Sequence, residues 1–200
     1  MPAHPDSGVG VTFPSGCRIT HGNGANIKKP FQDLDLTMYE LSPSNANGFR
    51  GQLGFIEFNT SYRLPRHIHM SSDRQRLVDE RIMILHGVAL VEIAGSVYVV
   101  APGSLVDTVG GVPHTFTACP AGVRLPDGTV SSGTFTMVYE YEEPTSFFPT
   151  MSTEVVKDPV EYQAWEGSLE EIRFPQLSAG DVIDIGKVVF NHELMGLHLA

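Results

Sequence analysis

Residues 81–100, RIMILHGVALVEIAGSVYVV, decide the fold class. Three runs rich in β-branched residues, Arg81–Leu85, Ala89–Ile93 and Val97–Val100, are separated only by a glycine-containing break and by Ala94-Gly95-Ser96. Side chains of this kind fit a pleated, half-buried surface, and a short Gly-containing link between two such runs is a hairpin signal. Working outward, the same character recurs in Leu36–Leu41, Gly54–Asn59 and Phe135–Tyr141. Six or more short strands with tight Gly or Pro connections predict an all-β sandwich or barrel. The chain has 200 residues and no internal repeat, so a single barrel with a sizeable core is expected.

The flanks read differently. Residues 1–34 are rich in Gly, Pro, Ser and Asn and predict an irregular N-terminal arm, followed by the barrel over 35–143 and an acidic extension over 144–200 that packs on it. Within the extension, Pro159 to about Ile172 reads as one acidic helix with Pro175 beyond its end, and Lys187–Leu199 as a short strand and helix. From Tyr139 onward there are twelve acids against three Lys or Arg, a charge of −9 out of the chain's −10. Clustered cations are what a phosphate backbone requires, so nucleic acid is not an expected partner. No apolar run is long enough to span a membrane, and the start of the chain has neither the basic nor the apolar region of a secretory signal, so a cytoplasmic protein is expected. Cys17 and Cys119 are too few and too far apart for a disulfide framework and read as ordinary thiols.

The chemistry concentrates in His67-Ile68-His69, Glu80 and His114. Alternate residues of a strand share a face, so His67 and His69 project together, roughly 7 Å apart along the chain. Glu80 has the parity of Ile82 and Ile84, which directs its carboxylate into an apolar interior; His114 has the parity of Phe116 and Ala118. A buried carboxylate without a cationic partner is costly, and imidazoles with a carboxylate suit a divalent metal, whether Fe, Mn, Ni, Zn or Cu. His86 shares the parity of Glu80 but lies six residues on, roughly 20 Å away along an extended strand, and cannot share the ion. His4, His21, His192 and His198 read as surface or packing residues.

In this pattern the chain resembles the cupin superfamily. The His67-x-His69 pair and the Glu80-to-Gly87 spacing are similar to that family's first motif, and Gly103 through Gly111 to His114 is similar to its second. Ser61 stands in place of the first motif's leading glycine, and Val109 and Ala118 replace a proline and an asparagine of the second. Ten residues, Met70–Asp79, separate His69 from Glu80, which reads as an enlarged hairpin loop, with Asp79 or Asp73 as substitute ligand if the register slips. The resemblance implies a jelly-roll barrel, often a homodimer, with one divalent metal held near its mouth by His67, His69, Glu80 and His114.

Five of the nine arginines, Arg63, Arg66, Arg74, Arg76 and Arg81, lie close to the histidine pair. By parity Arg66 and Arg81 face away from it, which leaves Arg74 and Arg76 on the enlarged loop as candidate substrate contacts, with Tyr98, Phe116 and Tyr139 as candidate pocket walls. The expected function is a metal-dependent enzyme acting on a small organic molecule. Oxidative, dioxygenase-type chemistry stands first and Glu80 is the candidate catalytic carboxylate. The alternatives are a non-redox decarboxylase, isomerase or cyclase, and a non-catalytic small-molecule-binding barrel.

Overall fold

The computed structural model describes residues 11–12, 18–19, 26–42, 51–190 and 193–197. His4, Cys17, His21, His192 and His198 lie outside them. The strands in chain order are β1 (Val11–Thr12), β2 (Arg18–Ile19), β3 (Asn26–Lys28), β4 (Met38–Ser42), β5 (Gln52–Asn59), β6 (His67–Ser71), β7 (Glu80–Gly87) and β8 (Ala89–Ile93). They continue with β9 (Ser96–Val100), β10 (Leu105–Thr108), β11 (His114–Ala118), β12 (Thr134–Tyr141), β13 (Thr145–Pro149), β14 (Lys187–Phe190) and β15 (Glu193–Gly196). One helix, α1 (Ala179–Ile185), precedes β14.

Apart from the small β1–β2 pair, the strands form a six-stranded sheet ordered β10-β7-β12-β5-β4-β3 and a seven-stranded sheet ordered β13-β6-β11-β8-β9-β14-β15. All pairings are antiparallel except β14 with β9. Strict alternation along β5, β7 and β12 turns Ile56, Ile82, Ile84, Phe135 and Met137 inward, where they meet Ala89, Val91, Phe116 and Ala118 of the other sheet. This is the all-β sandwich that the strand pattern predicts.

The strand that opens the 81–100 stretch turns sharply at Gly87, whose φ of 70° favours glycine and where a Cβ would collide with the carbonyl oxygen of Thr134. β8 and β9 then pair through the Ala94-Gly95 turn, Ile93 opposite Ser96.

Two expectations need correction. Pro159–Ile172 is not one helix but two single 3-10 turns, Pro159–Glu161 and Leu169–Ile172, capped by Asp158 and Ser168. Between them the chain runs through Trp165-Glu166-Gly167-Ser168, where the Trp165 ring packs where a side chain at 167 would stand and its Nε1 donates to the carbonyl of Ser168. The helix lies instead at Ala179–Ile185, where Ser178 and Asp181 form a reciprocal capping box. Lys187–Gly196 is the β14–β15 hairpin, without a helix among its described residues.

The arm also contributes order. Asn26–Lys28 is an edge strand on β4, and Phe31 is buried in the core.

The extension covers the outer face of the seven-stranded sheet. Phe174, Val182, Val188 and Leu197 bury against Leu90 and Val99, while Val156 and Tyr162 pack on Ile68, Met70 and Phe148. Arg63 and Arg66 tie this layer down: Arg63 donates to the carbonyl of Phe174 and pairs with Glu170, and Arg66 donates to buried Glu92 at 2.6 Å and to the carbonyl of Met151.

Candidate metal centre

His67 and His69 stand two apart on β6 with buried, inward side chains, and His114 opens β11 directly opposite His67. Glu80 opens β7 on the facing sheet and is 4% exposed. The three imidazole centroids are 4.5, 4.9 and 5.3 Å apart, and one ring nitrogen from each lies within 4.8 Å of the others. Glu80 Oε2 is 3.0 Å from His114 Nε2 and 3.5 Å from His69 Nε2.

The backbone fixes the tautomers. His67 Nδ1 donates to the carbonyl of Pro65 at 2.8 Å, His69 Nδ1 to that of Ser146 at 3.0 Å and His114 Nδ1 to that of Val112 at 2.8 Å. A carbonyl only accepts, so each Nδ1 carries hydrogen and each neutral ring keeps an Nε2 lone pair for the interior. Despite their proximity, His69 Nε2, His114 Nε2 and Glu80 Oε2 are buried without hydrogen-bond partners. Two imidazole nitrogens and a carboxylate oxygen buried this close together need a cation among them, a proton or a metal ion. The donor set and its orphaned atoms therefore fit a divalent metal.

Charge on these groups follows from burial. Burial, then the neighbouring His114 and His69, hold the His67 imidazolium well below the ordinary histidine range, so the ring is neutral at pH 7. Burial alone would raise the Glu80 carboxyl, but His69 and His114 outweigh it and hold the group below the usual carboxylate range. Opposite Glu80 in the β12 register stands Tyr141, whose ring packs 4.6 Å from His69; burial, then the charge of Glu80, push its phenol well above the usual range.

The ten-residue gap before Glu80 is a tied hairpin. β6 turns back after Ser71, Arg76 carbonyl accepts from Ser71 N, and Val78 N donates to the carbonyl of His69 before the chain crosses to the facing sheet. Asp73 accepts from Ser71 Oγ and Gln75 N inside this turn, and Asp79 accepts from Gly110 N at 2.8 Å, so both are occupied away from the histidines. In the second motif, Gly111 has φ 83°, and a Cβ there would strike the carbonyl oxygen of Val156.

The remaining candidates separate. Phe116 lies 6.0 Å from His114, and Tyr139 lies 5.2 Å from Tyr141 over Gly54, where any side chain would meet its hydroxyl. Tyr98 is half-buried on β9, two strands from β11. Arg74 sits over the Phe148 ring at 5.4 Å, on the outer side of the sheet, and Arg76 pairs with Glu142 and Glu143. His86 is exposed at the far end of β7. Cys119 is buried with its thiol pushed up to about 11 by burial, against a hydrogen bond from Ser131 that lowers it.

Three residues at the site escape the sequence reading. Phe147 on β13 packs 4.6 Å from His67, Tyr141 closes the wall beside His69, and Thr108, paired with Glu80, has a buried hydroxyl without a partner. Tyr141 carries the same parity as Tyr139, which is the signal that would have found it. On the far side of this wall lies a cleft of about 390 Å3 lined by Lys28, Met38, Gln52, Tyr139, Tyr141 and Phe147.

Two facing sheets enclose three buried histidines and a glutamate, the arrangement that the resemblance to cupins implies. Among solved structures, the chain is similar to the polyketide cyclase RemF from Streptomyces resistomycificus, with 18% identity over 72% of this chain and 91% of that one and a TM-score of 0.46. It is also similar to a cupin-2 domain protein from Rhodospirillum rubrum (22% identity, 64% of this chain, 74% of that one, TM-score 0.39). A cupin-superfamily sugar phosphate isomerase from Silicibacter pomeroyi is a third (14% identity, 58% and 66%, TM-score 0.40). No family model matches the sequence, and no curated protein matches it. Among the described residues no helix is long and apolar enough to cross a membrane.

Proposed function

We propose that this chain is a metal-dependent enzyme acting on a small organic substrate, with oxidative, dioxygenase-type chemistry as the first reading. The observation that supports it is the clustering of three buried histidine ring nitrogens within 4.8 Å of one another, with Glu80 Oε2 3.0 Å from His114 Nε2 and 3.5 Å from His69 Nε2 and every Nδ1 already bonded to a backbone carbonyl. A divalent ion held by His67, His69, His114 and Glu80 would supply Lewis acidity to a substrate oxygen and, where redox-active, a route for electrons to dioxygen. Three neutral imidazoles and one carboxylate around such an ion leave a net positive site, which favours carboxylates, phenolates and enolates.

The chain's own side chains shape what reaches that point. Phe147 and Tyr141 pack against the histidine rings, and the cleft beside them has room for a molecule of modest size. Tyr141 keeps the proton on its phenol oxygen beside the Glu80 carboxylate. That pair favours a second reading, non-redox proton transfer in an isomerisation, decarboxylation or cyclisation.

Oxygen consumption by the Fe-loaded protein with a panel of small phenols, enols and carboxylic acids tests the assignment. Uptake that stops in His114→Ala supports the oxidative reading. Substrate turnover without uptake selects the second. Ligand binding that survives His67→Ala and His114→Ala unchanged, with no turnover, contradicts both and leaves a non-catalytic binding barrel.

A further inference from the structure

Tyr141 and Phe147 have the histidines on one side and a cleft on the other. Phe147 packs 4.6 Å from His67 and Tyr141 4.6 Å from His69, while Pro30, Met38 and Tyr139 continue the apolar lining of the cleft. Lys28 and Lys29 stand at the same cleft, two of the four lysines in the chain. Register accounts for the first of them: on the edge strand β3, Lys28 lies opposite Met38 of β4 and so shares the inner face of the sheet, exposed at its margin. Lys29 follows and pairs with Asp35 at 2.8 Å. Among the described residues lining the cleft there is no Asp or Glu, in a chain of net charge −10. The cleft beside Trp165, by contrast, carries Glu154 and Glu161.

We infer that this cleft is a binding site for a small aromatic carboxylate, its ring against Met38, Tyr139, Tyr141 and Phe147 and its charge toward Lys28 and Lys29. The volume of about 390 Å3 falls within the range of small-molecule sites. Three aromatic side chains and a thioether favour a flat, polarisable body, which rings meet edge-on or offset. Two ammonium groups beside that lining favour a carboxylate over a neutral or cationic group. The cleft is held in shape by the chain itself. Phe31 packs 4.9 Å from Phe147 and anchors the segment that carries both lysines, and Gln52 Oε1 accepts from Thr145 N at 3.1 Å, tying β5 to the start of β13. An edge-strand lysine also discourages pairing with another chain, but that role needs no aromatic cleft beside it. Binding there needs no metal; only the ligand's standing as substrate rests on the proposed function, and metal-free protein tests the two apart.

Isothermal titration calorimetry of the metal-free full chain with 2-naphthoate and with its neutral amide, 2-naphthamide, tests this directly. One naphthoate per chain is expected, bound about tenfold or more tightly than naphthamide. Lys28→Gln combined with Lys29→Gln should weaken naphthoate by about tenfold and leave naphthamide unchanged. Lys157→Gln combined with Lys187→Gln, an equal change of charge at two exposed positions elsewhere, should leave both compounds unchanged. A salt series on the wild type from about 0.05 to 0.5 M repeats the test should the first variant fail to fold: naphthoate affinity falls and naphthamide affinity holds. Equal affinity for the two compounds, equal response of both to salt, or no naphthoate binding at about 1 mM would each overturn the inference. So would a Lys28 and Lys29 variant that binds naphthoate as tightly as wild type, or an equal loss in the Lys157 and Lys187 variant.

Discussion

His67, His69 and His114 show how a backbone prepares a site for a cation. Each Nδ1 hydrogen is committed to a carbonyl two residues back or on a neighbouring strand, so the rings cannot rotate to hide their lone pairs. Replacing His67 or His114 by alanine removes a ligand outright. Divalent-metal affinity, read by competition with a chelator, should fall by more than the roughly 10- to 100-fold typical of changes one shell further out. The same burial sets a pH dependence for the metal-free protein. His67 is held below the ordinary 6.5 when folded, so the unfolded chain binds more protons and stability rises with pH across that interval. Urea midpoints of the metal-free protein should therefore decline as pH drops from about 7 toward 5, and His67→Gln should flatten the slope. Parity along β6, β7 and β11 turns each of these four side chains inward, whereas their meeting at one point is what the resemblance to cupins implies. Tyr141 and Thr108 were harder to see, because each matters through a partner on another strand, Glu80, whose register only the folded sheet supplies.

At the scale of elements, the two motif glycines separate structure from chemistry. Gly87 and Gly111 both have positive φ and both lie against a carbonyl oxygen, so they serve the turns that deliver β7 and β11. Gly87→Ala should cost about 2–3 kcal/mol in denaturant unfolding, with metal affinity retained in the folded fraction. The strands were legible because their alternation is strict; the extension was not. Glu161, Glu166, Glu170 and Glu171 suggest a helix by composition, yet the packing of Trp165 at Gly167 and the caps at Asp158 and Ser168 divide that stretch into two single turns. The true helix, Ala179–Ile185, is only seven residues long and contains Gly180, too little for a periodic signal to emerge. The ten-residue gap before Glu80 likewise closes into an ordered turn through Asp73, so Asp73→Ala should loosen residues 72–76 in hydrogen exchange while leaving the histidines in place.

For the whole molecule, burial is unequal on the two sides of the sandwich. Phe174 is fully buried beneath the extension, and Phe174→Ala should cost about 3–5 kcal/mol and weaken the grip of residues 150–197 on the seven-stranded sheet. The way the C-terminal residues cover the seven-stranded sheet depends on contacts between distant segments that no local pattern contains. The metal acts at this scale too, since a ligand that binds only the folded state stabilises all of it. The measurement that bears most directly on the account is metal content by mass spectrometry, on untagged protein loaded with a divalent ion and dialysed, for the wild type beside His67→Ala and His114→Ala. About one ion per chain is expected in the wild type, lost in both variants, with a raised melting temperature only where the ion is retained. Less than about 0.2 ion per wild-type chain, or full occupancy in both variants, would contradict it.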